Sequence, residues 1–150
     1  MKTSINLLTI LFVLTSIELF SQHNQEPLIE AYGSIFDVPE ATVRPDSSMI
    51  YKIAIDFYSS PKDRRDINFS LDRVARAMNL HHSGGVSQEH LDVKVIAYSN
   101  GVSAFLSDEA HKKRFGKDNP NSELIERLNK VGVQMVVCGQ SIRKEGFDYT

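Results

Sequence analysis

The chain has 150 residues, with 17 basic and 19 acidic side chains, a formal net charge of −2, one cysteine and no tryptophan. That near-balance of charge gives no electrostatic ground for nucleic acid or an anionic membrane as partner. A single cysteine excludes an internal disulfide, so the chain is no stapled small scaffold and must be held by a packed core.

The first element is a targeting segment. Lys2 supplies a positive start, residues 5–20 (INLLTILFVLTSIELF) form a short apolar run, and Ser21 is a small residue suited to the position before a signal-peptidase cut. The spacing predicts a cleaved signal peptide over residues 1–21, with Gln22 as the new N-terminus. Asn6, the hydroxyls and Glu18 interrupt the run, and Gln22 to Glu26 are polar. A spanning helix needs roughly 20 clean apolar residues, so no stable membrane anchor is expected after cleavage. No cysteine lies near the cut, which excludes lipoprotein processing there. The expected location is outside the cytoplasm, periplasmic or secreted.

Residues 22–48, punctuated by Pro27, Gly33, Pro39 and Pro45, read as an extended lead-in to one domain over residues 49–150. Residues 49–58 (MIYKIAIDFY) are β-branched and aromatic, as a buried strand requires. Residues 66–80 place Ile67, Leu71, Val74 and Met78 at helical spacing on one face, and Gly84-Gly85 ends the unit. Residues 92–98 form a second strand, closed by a Ser99-Asn100-Gly101 turn. Residues 102–115 read as one helix stopped by Gly116. Residues 121–130 read as another, with Asn121 as its cap and Leu124, Ile125 and Leu128 facing inward. Residues 131–138 (VGVQMVVC) form a third strand, and residues 142–145 a short helix. This alternation predicts βαβ units, a parallel sheet and right-handed crossovers.

In such sheets chemistry collects beyond the carboxyl ends of the strands. That rule singles out Tyr58-Ser59-Ser60, Ser99-Asn100-Gly101 and Cys138-Gly139-Gln140. Backbone N–H groups at a helix start favour a thiolate at Cys138, the nucleophilic form. Gly139 leaves room for an incoming ligand, and Arg143 and Lys144 add positive charge if they point back. From spacing alone, a buried apolar role for Cys138, following Val136 and Val137, stays open.

Other constellations carry less. His81, His82, His90 and His111 lack metal-ligand spacing and read as loop or surface histidines, so no metal is expected. Lys112, Lys113 and Arg114 read as a solvated helix face. Ser83-Gly84-Gly85 follows a helix, so it is a turn and no phosphate cradle. No nucleophile-elbow pattern is present.

LDRVARAMNL (residues 71–80) and DEAHKKRFGKDNPNSELIERLNKVGVQMVVCGQS (residues 108–141) resemble the DsrE/DsrF-like family. The sharpest part is RFG-x-x-NPN at residues 114–121, followed by L-x-x-x-G-V and V-V-C-G-Q. The resemblance implies an α/β fold, a three-layer α/β/α sandwich with a mostly parallel sheet, and assembly as a homo-oligomer. It places Cys138 where sulfur-relay members carry the cysteine that accepts a persulfide. Ser99, Asn100, Gly139 and Gln140 would line the pocket around it, and the partner would be a sulfur donor or acceptor protein. No metal or organic cofactor is implied. Exported relatives often have His-Gly at the end of the second strand, where this chain has Tyr98-Ser99-Asn100-Gly101. Relatives also continue through a further helix and strand beyond the position of Thr150, so a C-terminally incomplete sheet is expected. The alternative is a non-catalytic oligomeric binding or scaffold module of the same fold.

Overall fold

A computed structural model describes residues 26–147; the signal peptide expected over residues 1–21 and its expected cut lie outside the described residues. Three parallel strands form the sheet: β1 (Tyr51–Phe57), β2 (Leu91–Ala97) and β3 (Gln134–Val137), in the order β1-β2-β3. Helix α1 (Phe69–Ser83) connects β1 to β2. A 3-10 segment (Ser99–Phe105), α2 (Asp108–Phe115) and α3 (Ser122–Lys130) connect β2 to β3, and α4 (Gly139–Glu145) follows. The expected α/β fold with a parallel sheet is therefore what the chain adopts.

Strand order and chain order coincide. When strands are added in sequence, right-handed crossovers put both connecting helices on the same side of the sheet. In keeping with that rule, α1 and α3 touch each other. Leu71, Val74, Ala75 and Met78 of α1 and Leu124 and Leu128 of α3 share one core with Leu91, Val93, Val95 and Ala97 of β2. The strand residues in between face the other way. Lys52, Ala54, Asp56, Lys94, Ile96, Gln134 and Val136 are exposed and Asp92 is half-buried. Among the described residues no helix layer covers this second face.

Several element boundaries differ from the sequence reading, each for a local reason. Helix α1 starts at Phe69 because the Asn68 side chain accepts the Ser70 N–H at 2.9 Å and caps it there. Ile67 therefore lies outside the helix and is exposed, and Asn79 takes the last place on the buried face. The single helix read over residues 102–115 is two elements. Leu106 is extended (φ −68°, ψ 147°), and Ser107 caps α2 by accepting the Ala110 N–H at 3.2 Å. The three residues read as a plain turn, Ser99 to Gly101, open the 3-10 segment.

The lead-in is bound to the domain. Ile29 is buried in the core, and the Asn79 amide meets four backbone groups of this segment. It accepts the Ile29 N–H at 2.8 Å and donates to the carbonyls of Ile29, Tyr32 and Gly33 at 3.1, 3.0 and 3.2 Å. Gly33 permits the approach: at φ +63° a Cβ there would lie 2.2 Å from the Arg76 nitrogen.

Candidate functional site

The strand ends are built by buried asparagines. Asn68 donates to the Ser59 carbonyl at 2.9 Å, and its own N–H is accepted by Asn121 Oδ1 at 2.7 Å. Asn121 donates in turn to Asn119 Oδ1 at 2.9 Å, and Asn119 donates to the carbonyls of Ala104 and Leu106 at 2.9 and 2.7 Å. Asn121 does precede α3, but its oxygen is committed to Asn68 and makes no cap bond. The Asn-Pro-Asn motif is thus a tertiary pin that fixes the loops after β1 and β2 relative to each other. Satisfied in this way, the three buried amides specify one loop arrangement. The Ser60 hydroxyl adds a bond to the Asn100 carbonyl at 2.6 Å.

Gly101 completes this corner. Its N–H reaches the Tyr58 carbonyl at 3.2 Å, and a Cβ there would lie 2.4 Å from the Phe57 carbonyl oxygen, so only glycine fits. Ser99 turns the chain with φ +50°, a left-handed conformation that a serine adopts at some cost. That turn aims the Ser99 N–H at Ser141 Oγ, 2.8 Å away on the first turn of α4.

Cys138 sits at the end of β3, half-buried, with its N–H bonded to the Ala97 carbonyl at 2.8 Å. It is the residue from which α4 starts. The Ser141 hydroxyl hydrogen-bonds its sulfur and holds the thiol below its ordinary value, helped by the N–H groups of Ser141 and, less, Gln140, while burial works the other way. The Ser141 oxygen already accepts from Ser99, so its proton is available to the sulfur.

The structure thus brings Ser99 and Cys138 together through a residue that the sequence reading passed over, Ser141. Gln140 is exposed and contributes backbone, not side chain. Gly139 is half-buried and opens α4. Asn100 is exposed, and its carbonyl is occupied by Ser60 and Ser103. Arg143 and Lys144 lie in the last turn of α4, at the end away from the sulfur, and neither lowers the thiol. Beside Ser99, the rings of Tyr58 and Tyr98 lie 6.0 Å apart and both are partly exposed.

His111 corrects the reading of the histidines. It is 1 % exposed, buried between the loop after β1 and the segment after α2. Lys112, Lys113 and Arg114 are exposed as expected. A surface recess of about 360 Å³ lies elsewhere, between the lead-in and α1. The Asn79 amide that lines it is fully engaged by backbone.

No curated protein and no solved structure matches the chain. A family model does, over residues 52–149, a span that holds β1 from Lys52 onward, β2, β3, the asparagine pin and Cys138. The chain belongs to the DsrE/DsrF-like family.

Proposed function

We propose that the chain is an exported thiol carrier, periplasmic or secreted, in which Cys138 takes up and passes on sulfur as a persulfide. The supporting observation is the Ser99–Ser141–Cys138 arrangement, in which a hydroxyl and two N–H groups stabilise a half-buried thiolate. In the loading step the Cys138 thiolate attacks the outer sulfur of a donor persulfide. A Cys138 Sγ–S bond forms, the donor's S–S bond breaks, and the donor leaves as thiolate with the electron pair. Delivery repeats the exchange with an acceptor thiolate, so no net oxidant or reductant is consumed. The partners are a donor or acceptor protein and further copies of this chain. Ser141 stabilises the sulfur, Gly139 leaves it accessible, and the corner at Ser99 and Asn100 forms the adjoining wall.

The test is alkylation and sulfur loading of the folded protein near neutral pH, followed by intact mass. Cys138 is expected to react faster than the same thiol in the urea-unfolded chain at equal pH. It is also expected to gain one sulfur atom from a small persulfide donor. An inert thiol in the folded protein overturns the reading.

A second reading, the non-catalytic oligomeric scaffold, draws on a different observation: Ile96 and Val136 are paired across β2 and β3 and exposed on the open face. Sedimentation of the Cys138→Ser variant separates the two. An assembly that forms alongside an unreactive wild-type thiol leaves only the scaffold.

A further inference from the structure

The His111 ring makes two hydrogen-bond contacts, and both partners are acceptors. Nδ1 lies 2.7 Å from the Lys117 carbonyl and Nε2 lies 3.0 Å from the Arg64 carbonyl. A backbone carbonyl has no proton to give. A neutral imidazole carries one N–H, so it satisfies one carbonyl and turns a lone pair on the other; only the imidazolium donates to both. The ring is too deeply buried for water to take over the second contact.

We propose that His111 is a pH-responsive clasp: doubly protonated, it ties the loop between β1 and α1 to the segment after α2, and loss of the Nε2 proton releases the loop. The bond to Lys117 joins neighbours six residues apart and is the shorter of the two. It keeps the remaining proton. The bond to Arg64 spans 47 residues and is the one that opens. The clasp is therefore closed at low pH and loosens as pH rises.

The charged groups on the segments around the ring are mixed. The loop carries Lys62, Asp63, Arg64, Arg65 and Asp66; the ring's own helix carries Asp108, Glu109, Lys112, Lys113 and Arg114; Lys117 and Asp118 follow it. Asp63, held down to about 2 by the Arg65 guanidinium and N–H, stays ionised throughout. Asp118 is paired with Lys112 at 3.3 Å, and Asp108 accepts from Ser122 at 2.6 Å and from the Asn119 N–H at 3.1 Å. No carboxylate is among the ring's hydrogen-bond partners, so the imidazolium rests on carbonyl dipoles alone. The Phe115 ring packs 4.8 Å from the imidazole and closes its remaining side.

Release has a defined reach. The same loop contributes the Ser59 carbonyl to Asn68 and the Ser60 hydroxyl to Asn100, next to the Ser99 turn. The clasp thus governs one wall of the strand-end corner, whatever chemistry takes place there.

The experiment is NMR of the folded, ¹⁵N-histidine-labelled chain, with amide exchange of residues 61–67 corrected for intrinsic pH dependence. Substitution by His111→Gln assigns the ring. As pH is raised from the acid to the alkaline end of the range in which the chain stays folded, the Nε2 signal is expected to move from protonated to unprotonated type while Nδ1 stays protonated. Over the same range the corrected exchange of the loop should rise about tenfold, as befits one lost charge-assisted bond. In His111→Gln, loop exchange should be fast and flat with pH. A ring that is neutral at the lower pH, a ring still doubly protonated at the higher one, or loop exchange unchanged in the wild type would each overturn the proposal. So would a wild-type pH response surviving in the variant.

Discussion

The two faces of the sheet are made by the same strands and differ in almost every physical respect. Along β2, Leu91, Val93, Val95 and Ala97 are buried under α1 and α3, while Asp92, Lys94 and Ile96 between them point to the open side. One face is an apolar core; the other mixes a Lys94–Asp92 pair at 3.9 Å with Ile96 and Val136. A period of two residues is enough to write both faces into seven positions. The lesson is that, among the described residues, the connections between strands close one side of the sheet and leave the other open.

That contrast is open to measurement. The largest effect is expected on the covered side at Leu124, fully buried on α3: Leu124→Ala should cost about 3 kcal/mol in urea unfolding. Val95→Ala, at the centre of the core strand, should cost about 2 kcal/mol, a value obtained from the same titration. Its neighbour Ile96, pointing the other way, should cost under about 0.5 kcal/mol as alanine in dilute monomer. If Ile96→Ala proves as damaging as Val95→Ala, and the loss depends on protein concentration, the open face is buried between copies in solution. Smallest in stability but clear in chemistry is Ser141→Ala. The thiol should return toward its ordinary value, so the alkylation profile of Cys138 moves to higher pH. The sign follows from linkage: a thiol lowered in the fold contributes stability above its unfolded value and loses it as pH falls through the folded one. The gap between wild type and Ser141→Ala should therefore widen as pH rises.

The strands and the main helices were legible because their information is local and periodic. Leu71, Val74 and Met78 announce a buried helical face, and the apolar run ending at Cys138 announces a strand that stops at a helix start. What stayed hidden is tertiary. Asn68 reads as part of a helix, Asn119 as loop and Asn121 as a helix cap, and only their mutual bonds across as many as 53 residues make them a pin. His111, among Lys112, Lys113 and Arg114, carries the pattern of an exposed helix; its burial is imposed by the carbonyls of Arg64 and Lys117. Ser141 was overlooked because a serine after Cys-Gly-Gln has no spacing signature. Its role depends on Ser99, 42 positions away.

The coincidence of strand order with chain order has a kinetic meaning. Each new strand joins the edge left by its predecessor, so the sheet grows outward as the chain is laid down, without any later strand having to slip between two earlier ones. The last addition is β3, four residues long and bonded on one side alone among the described strands. It is thus the piece of sheet with the fewest bonds to break, and Cys138 rides at its end. Among the described strands, the cysteine rides on the one laid down after the others and, in local opening, is among the first to be let go.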